Sequence, residues 1–139
     1  MADYRETVDY ILGIPLFAQK IGKENLSSLL CRLGNPEKAV PAIHVAGTNG
    51  KGSTCRALAQ MLAARGYRVG LFISPHLVSI NERIQINGTN ISDDDFVSAF
   101  ETVKGQFMEH PSFFEVMFAM AAVYFRPVSY THLTLPTTP

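Results

Sequence analysis

Hydrophobic periodicity divides this chain into helical and extended stretches. Val8, Ile11 and Leu12 fall on one side of a short helix over Thr7–Phe17, closed by the Gly13 to Pro15 region. Leu26, Leu29, Leu30 and Leu33 make a clearer helical stripe over Lys23–Leu33. Gly34-Asn35-Pro36 stops it, because glycine accepts the left-handed cap and proline cannot continue a helix. Ala42–Ala46 reads as a first buried strand. A helix follows with Leu58, Met61, Leu62 and Arg65 and is ended by Gly66, and Arg68–Ile73 reads as a second strand. Strand, loop, helix and strand make one βαβ unit, with parallel pairing of the two strands.

Further along, Glu82–Asn87 alternates Arg83 and Gln85 against Ile84 and Ile86, and Asn87-Gly88 is a hairpin turn signal. Ser92 has capping-box spacing ahead of a helix carrying Phe96, Phe100 and Val103. Asp93, Asp94 and Asp95 could face a metal, but a solvated first turn favoured by the helix dipole accounts for them better. Ser112-Phe113-Phe114-Glu115 has the same spacing ahead of a nearly all-apolar helix reaching Phe125, which predicts burial on several sides. That apolar run is half the ~20 residues a bilayer span needs.

Residues 128–139 change character. Val-Ser-Tyr-Thr-His-Leu-Thr-Leu-Pro-Thr-Thr-Pro holds no charged residue and resembles a translated sequencing adapter. It is set apart from the fold as a foreign tail, as any fusion scar would be, leaving residues 1–127 as one domain. The alternative is a native tail or edge strand over Ser129–Leu135.

Composition narrows the class. With 139 residues, 47% apolar and 17% charged, the chain is globular and long enough for a core. Its formal net charge of zero excludes a broad basic surface for nucleic acid. Cys31 and Cys55 lack metal-ligand spacing and suit a reducing compartment, Cys55 as a small packed residue. No basic-then-apolar leader is present, so the expectation is a soluble cytoplasmic protein without membrane partners.

The candidate chemistry lies in Ile43-His44-Val45-Ala46-Gly47-Thr48-Asn49-Gly50-Lys51-Gly52-Ser53-Thr54. An apolar strand enters a glycine-rich turn with one lysine, and an amphipathic helix starts at Ser53. Glycines let backbone N–H groups approach a ligand, a helix N-terminus favours anions, and the lysine adds a mobile cation. This order suits nucleotide phosphates. The strict G-x-x-x-x-G-K-[ST] pattern is not met, since Val45 stands where glycine is required and Gly52 follows Lys51. Ser74-Pro75-His76 follows the second strand, at the end where open α/β sheets bind ligands.

The loop Gly47-Thr48-Asn49-Gly50-Lys51-Gly52-Ser53 resembles the phosphate loop of the Mur-ligase superfamily. Its flanks, His44-Val45-Ala46 and Thr54-Cys55, are similar to the folylpolyglutamate synthase/dihydrofolate synthase branch. Ser74-Pro75-His76-Leu77, Asn81-Glu82-Arg83-Ile84, Ile86-Asn87-Gly88 and Phe113-Phe114-Glu115 follow in that family's order. Gly22-Lys23-Glu24-Asn25 departs from the family's Gly-Leu-Glu-Arg segment. The family's next strand, with a magnesium-binding glutamate and a Gly-Gly turn, is absent where residue 128 begins. The resemblance thus implies the N-terminal third of an enzyme.

That resemblance implies an α/β fold, a P-loop-containing three-layer αβα domain with a parallel sheet. It implies ATP and Mg2+ as cofactors and a monomeric ligase joining L-glutamate to the carboxylate of a reduced folate or dihydropteroate. Gly47, Thr48, Asn49, Gly50, Lys51, Gly52 and Ser53 would hold the ATP phosphates, with Lys51 catalytic at the γ-phosphate. Ser74 would bind magnesium, although by spacing alone it reads as a cap or turn residue. Ser112, Phe113, Phe114 and Glu115 would line the pteridine side of the substrate pocket. Arg83 would pair with Glu82 or a phosphate, and His76 would be structural. The near rivals are another Mur-type amide ligase and a nucleotide-binding module without catalysis; Gly52 after Lys51 favours the folate branch over cell-wall ligases.

Overall fold

A computed structural model of the chain describes residues 3–14, 23–39, 41–46, 51–108, 110–126 and 132–137. In chain order it places helices α1 (Tyr4–Leu12) and α2 (Lys23–Arg32), strand β1 (Ala42–Ala46), helix α3 (Lys51–Ala64) and strand β2 (Val69–Phe72). Strands β3 (Ile84–Ile86) and β4 (Thr89–Asn90), helices α4 (Asp93–Lys104) and α5 (Phe113–Phe125), and strand β5 (His132–Thr137) complete it. Short 3-10 turns cover Pro36–Lys38 and Ile80–Arg83.

The chain forms two compact units, one from Met1–Ala39 with Asp93–Tyr124 and one from Val40–Ser92 with Phe125–Pro139. The first unit is helical. Asp3 caps α1 by accepting the Glu6 N–H at 2.8 Å. Edge-to-face and tilted ring pairs, Tyr4 with Phe96 and Tyr10 with Phe100, join α1 to α4 at centroid distances of 5.7 and 5.5 Å. The helix α2 ends as its sequence demands: Asn35 N–H donates to the Leu30 carbonyl and Gly34 N–H to Cys31, with positive φ at both Gly34 and Asn35. Val116, Met117, Ala119, Met120, Ala121 and Ala122 of α5 are all buried, as an apolar helix without a polar face requires. No helix among the described residues is long and apolar enough to cross a membrane.

The second unit holds a five-stranded sheet in the order β1-β5-β2-β3-β4. Strands β1 and β2 each run parallel to β5, while β2, β3 and β4 pair antiparallel. The sheet is therefore mixed, where a parallel one was expected. The expected direct pairing of β1 with β2 is also corrected: they share a direction but β5 lies between them. That strand comes from the segment the composition sets apart: Val69–Leu71 pairs with His132–Thr134 and Ala42–Ala46 with Leu133–Thr137. Helix α3 packs on β1, β5 and β2. Its buried face runs through Cys55 and Ala59, whereas Met61, counted in the apolar stripe, is 65% exposed. Asn87 and Gly88 both take positive φ, the mirror-image turn that matches the twist of a two-residue hairpin.

Candidate nucleotide and substrate site

Parallel alignment places the carboxyl ends of β1 and β2 at one edge of the sheet. The segment leading from β1 to α3 and the Ser74 segment therefore both depart from that edge, where open α/β sheets place ligands. Cys55 on α3 packs with Leu71, Ile73 and Val45, anchoring the first turns of the helix to both strands. Gly47, Thr48, Asn49 and Gly50 lie outside the described residues. The backbone of Lys51 opens α3, two residues earlier than the expected start at Ser53, and the Lys51 side chain lies outside the described part. Gly52 stands in that first turn with open space where a Cβ would be, and Ser53 is exposed. Open backbone at a helix start leaves room for an anion.

Ser74 is half-buried just after β2. The segment behind it closes on itself: Ile73 N–H donates to the Arg83 carbonyl at 3.0 Å, and Asn81 Nδ2 donates to Ile91 O at 2.7 Å from a buried position. Two side chains brace the inside of this loop. The Glu82 carboxylate accepts the Leu77 N–H on Oε1 and the Val78 and Ser79 N–H groups on Oε2, at 2.8 to 2.9 Å. Arg83 Nε donates to His76 Nδ1 at 2.7 Å. Arg83 Nε thus meets His76, a partner that the sequence reading did not offer it. The signal for Glu82 was present in the sequence, since Ser79-Ile80-Asn81-Glu82 has capping-box spacing and forms one here.

These contacts set the local electrostatics. The three backbone N–H groups of Leu77, Ser79 and Val78 hold the Glu82 carboxyl at about 2, well below its usual 4.5. Burial, then the Arg83 charge, lowers His76, so the imidazole stays neutral and Nδ1 remains an acceptor near pH 7. A depressed carboxylate contributes stability above its unfolded value and loses it as pH falls through the folded one. Apart from small movements as the neighbouring His76 titrates, the Leu77, Val78 and Ser79 amide resonances should accordingly show no carboxylate midpoint near 4.5 and should move with Glu82 only as pH falls toward 2. A midpoint near 4.5 by amide NMR would contradict the clamp.

In the helical unit, the Ser112 group forms the expected capping box: Ser112 N–H donates to Glu115 Oε1 at 2.7 Å and Glu115 N–H to Ser112 Oγ at 3.2 Å. Phe113 is buried, while Phe114 is 41% exposed and tilted against Phe118 with centroids 5.8 Å apart. Of the four, Phe114 has the ring surface that a flat ligand needs. Glu115 is committed to the cap and is largely buried.

No family model matches the chain. Over 129 residues it is 40% identical to the dihydrofolate synthase/folylpolyglutamate synthase of Bacillus subtilis, covering 88% of this chain and 30% of that protein. The crystal structure of folylpolyglutamate synthase (FPGS) from Thermotoga maritima matches with a TM-score of 0.89 and 39% identity, over 96% of this chain and 32% of that one. An FPGS–AMPPCP–folate complex matches with a TM-score of 0.90 and 36% identity, over 97% of this chain and 35% of that one. The chain spans about a third of the length of these relatives. An α/β fold and 40% identity over most of its length agree on one conclusion: the chain belongs to the folylpolyglutamate synthase/dihydrofolate synthase family.

Proposed function

We infer that this chain carries the ATP-handling part of a ligase that joins L-glutamate to the carboxylate of a reduced folate or dihydropteroate. The observation that supports it most is the shared edge from which the glycine-rich segment and Ser74 depart, in a chain of this family. A carboxylate is a poor acyl donor, so its oxygen attacks the γ-phosphate of ATP to give an acyl phosphate, and ADP leaves. The glutamate amine then attacks that carbonyl and phosphate departs. The chain's task is alignment and neutralisation of phosphate charge. Lys51 supplies the cation, and Gly47 to Ser53 supply backbone donors and a hydroxyl. The same reading includes a P-loop, a three-layer αβα arrangement, and a monomeric cytoplasmic enzyme.

Among the described residues no three His, Cys, Asp or Glu side chains gather to hold a metal. The Ser74 hydroxyl fits one position of a magnesium ion that keeps several waters and takes other oxygens from phosphates. When bound, that ion would supply further charge neutralisation. Phe114 would stack on the pteridine ring, with Ser112, Phe113 and Glu115 shaping the backbone beneath it.

The foreign origin of residues 128–139 belongs to the same reading. Its support is compositional: the segment holds no charged residue and ends in a Thr/Pro cluster. Sequencing reads across the locus that continue unchanged through residue 139 would overturn it. The 139-residue polypeptide is expected to bind nucleotide without ligating. Titrating it with Mg·AMPPCP should shift the amides of residues 47–53 and of Ser74; shifts that spare both, or none at millimolar nucleotide, would refute the assignment.

A further inference from the structure

We propose that Glu82 is a positioning residue that fixes the loop from Pro75 to Ser79, and with it the Ser74 end of the ligand-facing edge. A loop of this kind has few partners of its own. Leu77 and Val78 are 87% and 91% exposed, so apolar burial does not hold them. Their conformation rests instead on three backbone N–H groups converging on one carboxylate. Both oxygens are used, Oε1 by Leu77 and Oε2 by Val78 and Ser79. Each N–H turned inward also turns an apolar side chain outward, which accounts for two adjacent exposed aliphatic residues. At the far end, the buried Ile80 and Asn81 tie the carboxylate's own backbone to the strand region, so the clamp pulls the loop toward a rigid base. The second brace, Arg83 to His76, sits on the residue just before the clamped trio. Glu82 therefore acts on the site only through the loop.

The chemistry predicts an unusual substitution pattern. Glutamine matches glutamate in shape but offers one acceptor oxygen, and its amide N–H2 would face a backbone donor. Glu82→Gln should therefore behave like Glu82→Ala rather than like wild type. The positioning role in ligand binding rests on the nucleotide reading above; the clamp itself does not.

Both variants of the 139-residue chain would be compared with wild type by amide hydrogen exchange, urea unfolding and Mg·AMPPCP titration. The expected result is exchange at Leu77, Val78 and Ser79 faster by at least about tenfold, as loss of a charge-assisted hydrogen bond implies. The unfolding midpoint should fall only modestly, with the chain still folded, and nucleotide affinity should fall several-fold in both variants. Wild-type exchange in Glu82→Gln would overturn the clamp. Fast exchange with unaltered nucleotide affinity would overturn the positioning role and leave Glu82 a loop brace. If wild type binds no nucleotide, the nucleotide reading fails, and exchange alone decides the clamp.

Discussion

Lys51→Ala should weaken Mg·AMPPCP binding by about 10- to 100-fold, since a hydrogen bond to a charged group is worth roughly 1.5–3 kcal/mol. The backbone of Lys51 is the first residue of α3, and alanine is the best helix former, so the helix itself should be unharmed. Isothermal titration then reads the loss of the cation, with the unfolding midpoint as the control. Lys51→Arg should recover only part of the affinity, because a planar fork replaces a compact charge in a glycine-lined turn. Unchanged affinity in Lys51→Ala would remove this residue from the phosphate site.

Gly70→Ala should be the most damaging single-methyl change in the sheet. A Cβ at Gly70 would lie 2.8 to 2.9 Å from three ring atoms of Phe125, and Phe125 is 1% exposed, so the ring has no free space to enter. Glycine inside a strand commonly marks such a close approach. Overpacking of this kind costs about 1–3 kcal/mol, and the present contact belongs at the upper end. Urea unfolding measures it. Gly70→Ala combined with Phe125→Leu should be less destabilised than the two single changes added together, because the smaller side chain relieves the clash. Strict additivity would show that the ring is not what alanine meets.

Local chemistry made much of the fold legible. Gly34-Asn35-Pro36, Asn87-Gly88 and the Ser112–Glu115 spacing each specify a backbone conformation within a few residues, and each formed. Strand β1 matched its apolar run for the same reason. Strand order was not legible, because no local signal tells β1 and β2 that a distant segment lies between them. Residues 132–137 looked foreign by composition, yet a gap between two parallel strands presents unpaired backbone groups that an extended segment can satisfy. On α3, Met61 fitted an apolar stripe, but the sheet approaches through the small residues Cys55 and Ala59. At the site, residue types pointed to Lys51 and Ser74; Ser79–Glu82 spacing offers a capping box, but the added convergence of Leu77 and Val78 on the same carboxylate is visible only in three dimensions.

The most direct test of the central claim is ligation by a chimera. Residues 1–126 of this chain would replace the matching segment of the Bacillus subtilis relative, to which the chain is 40% identical over 129 residues. Phosphate release would then be measured with ATP, L-glutamate and a reduced folate or dihydropteroate. Release that requires all three substrates, and that Lys51→Ala abolishes, is the predicted result. A folded chimera that binds nucleotide but releases no phosphate with any folate would contradict the account.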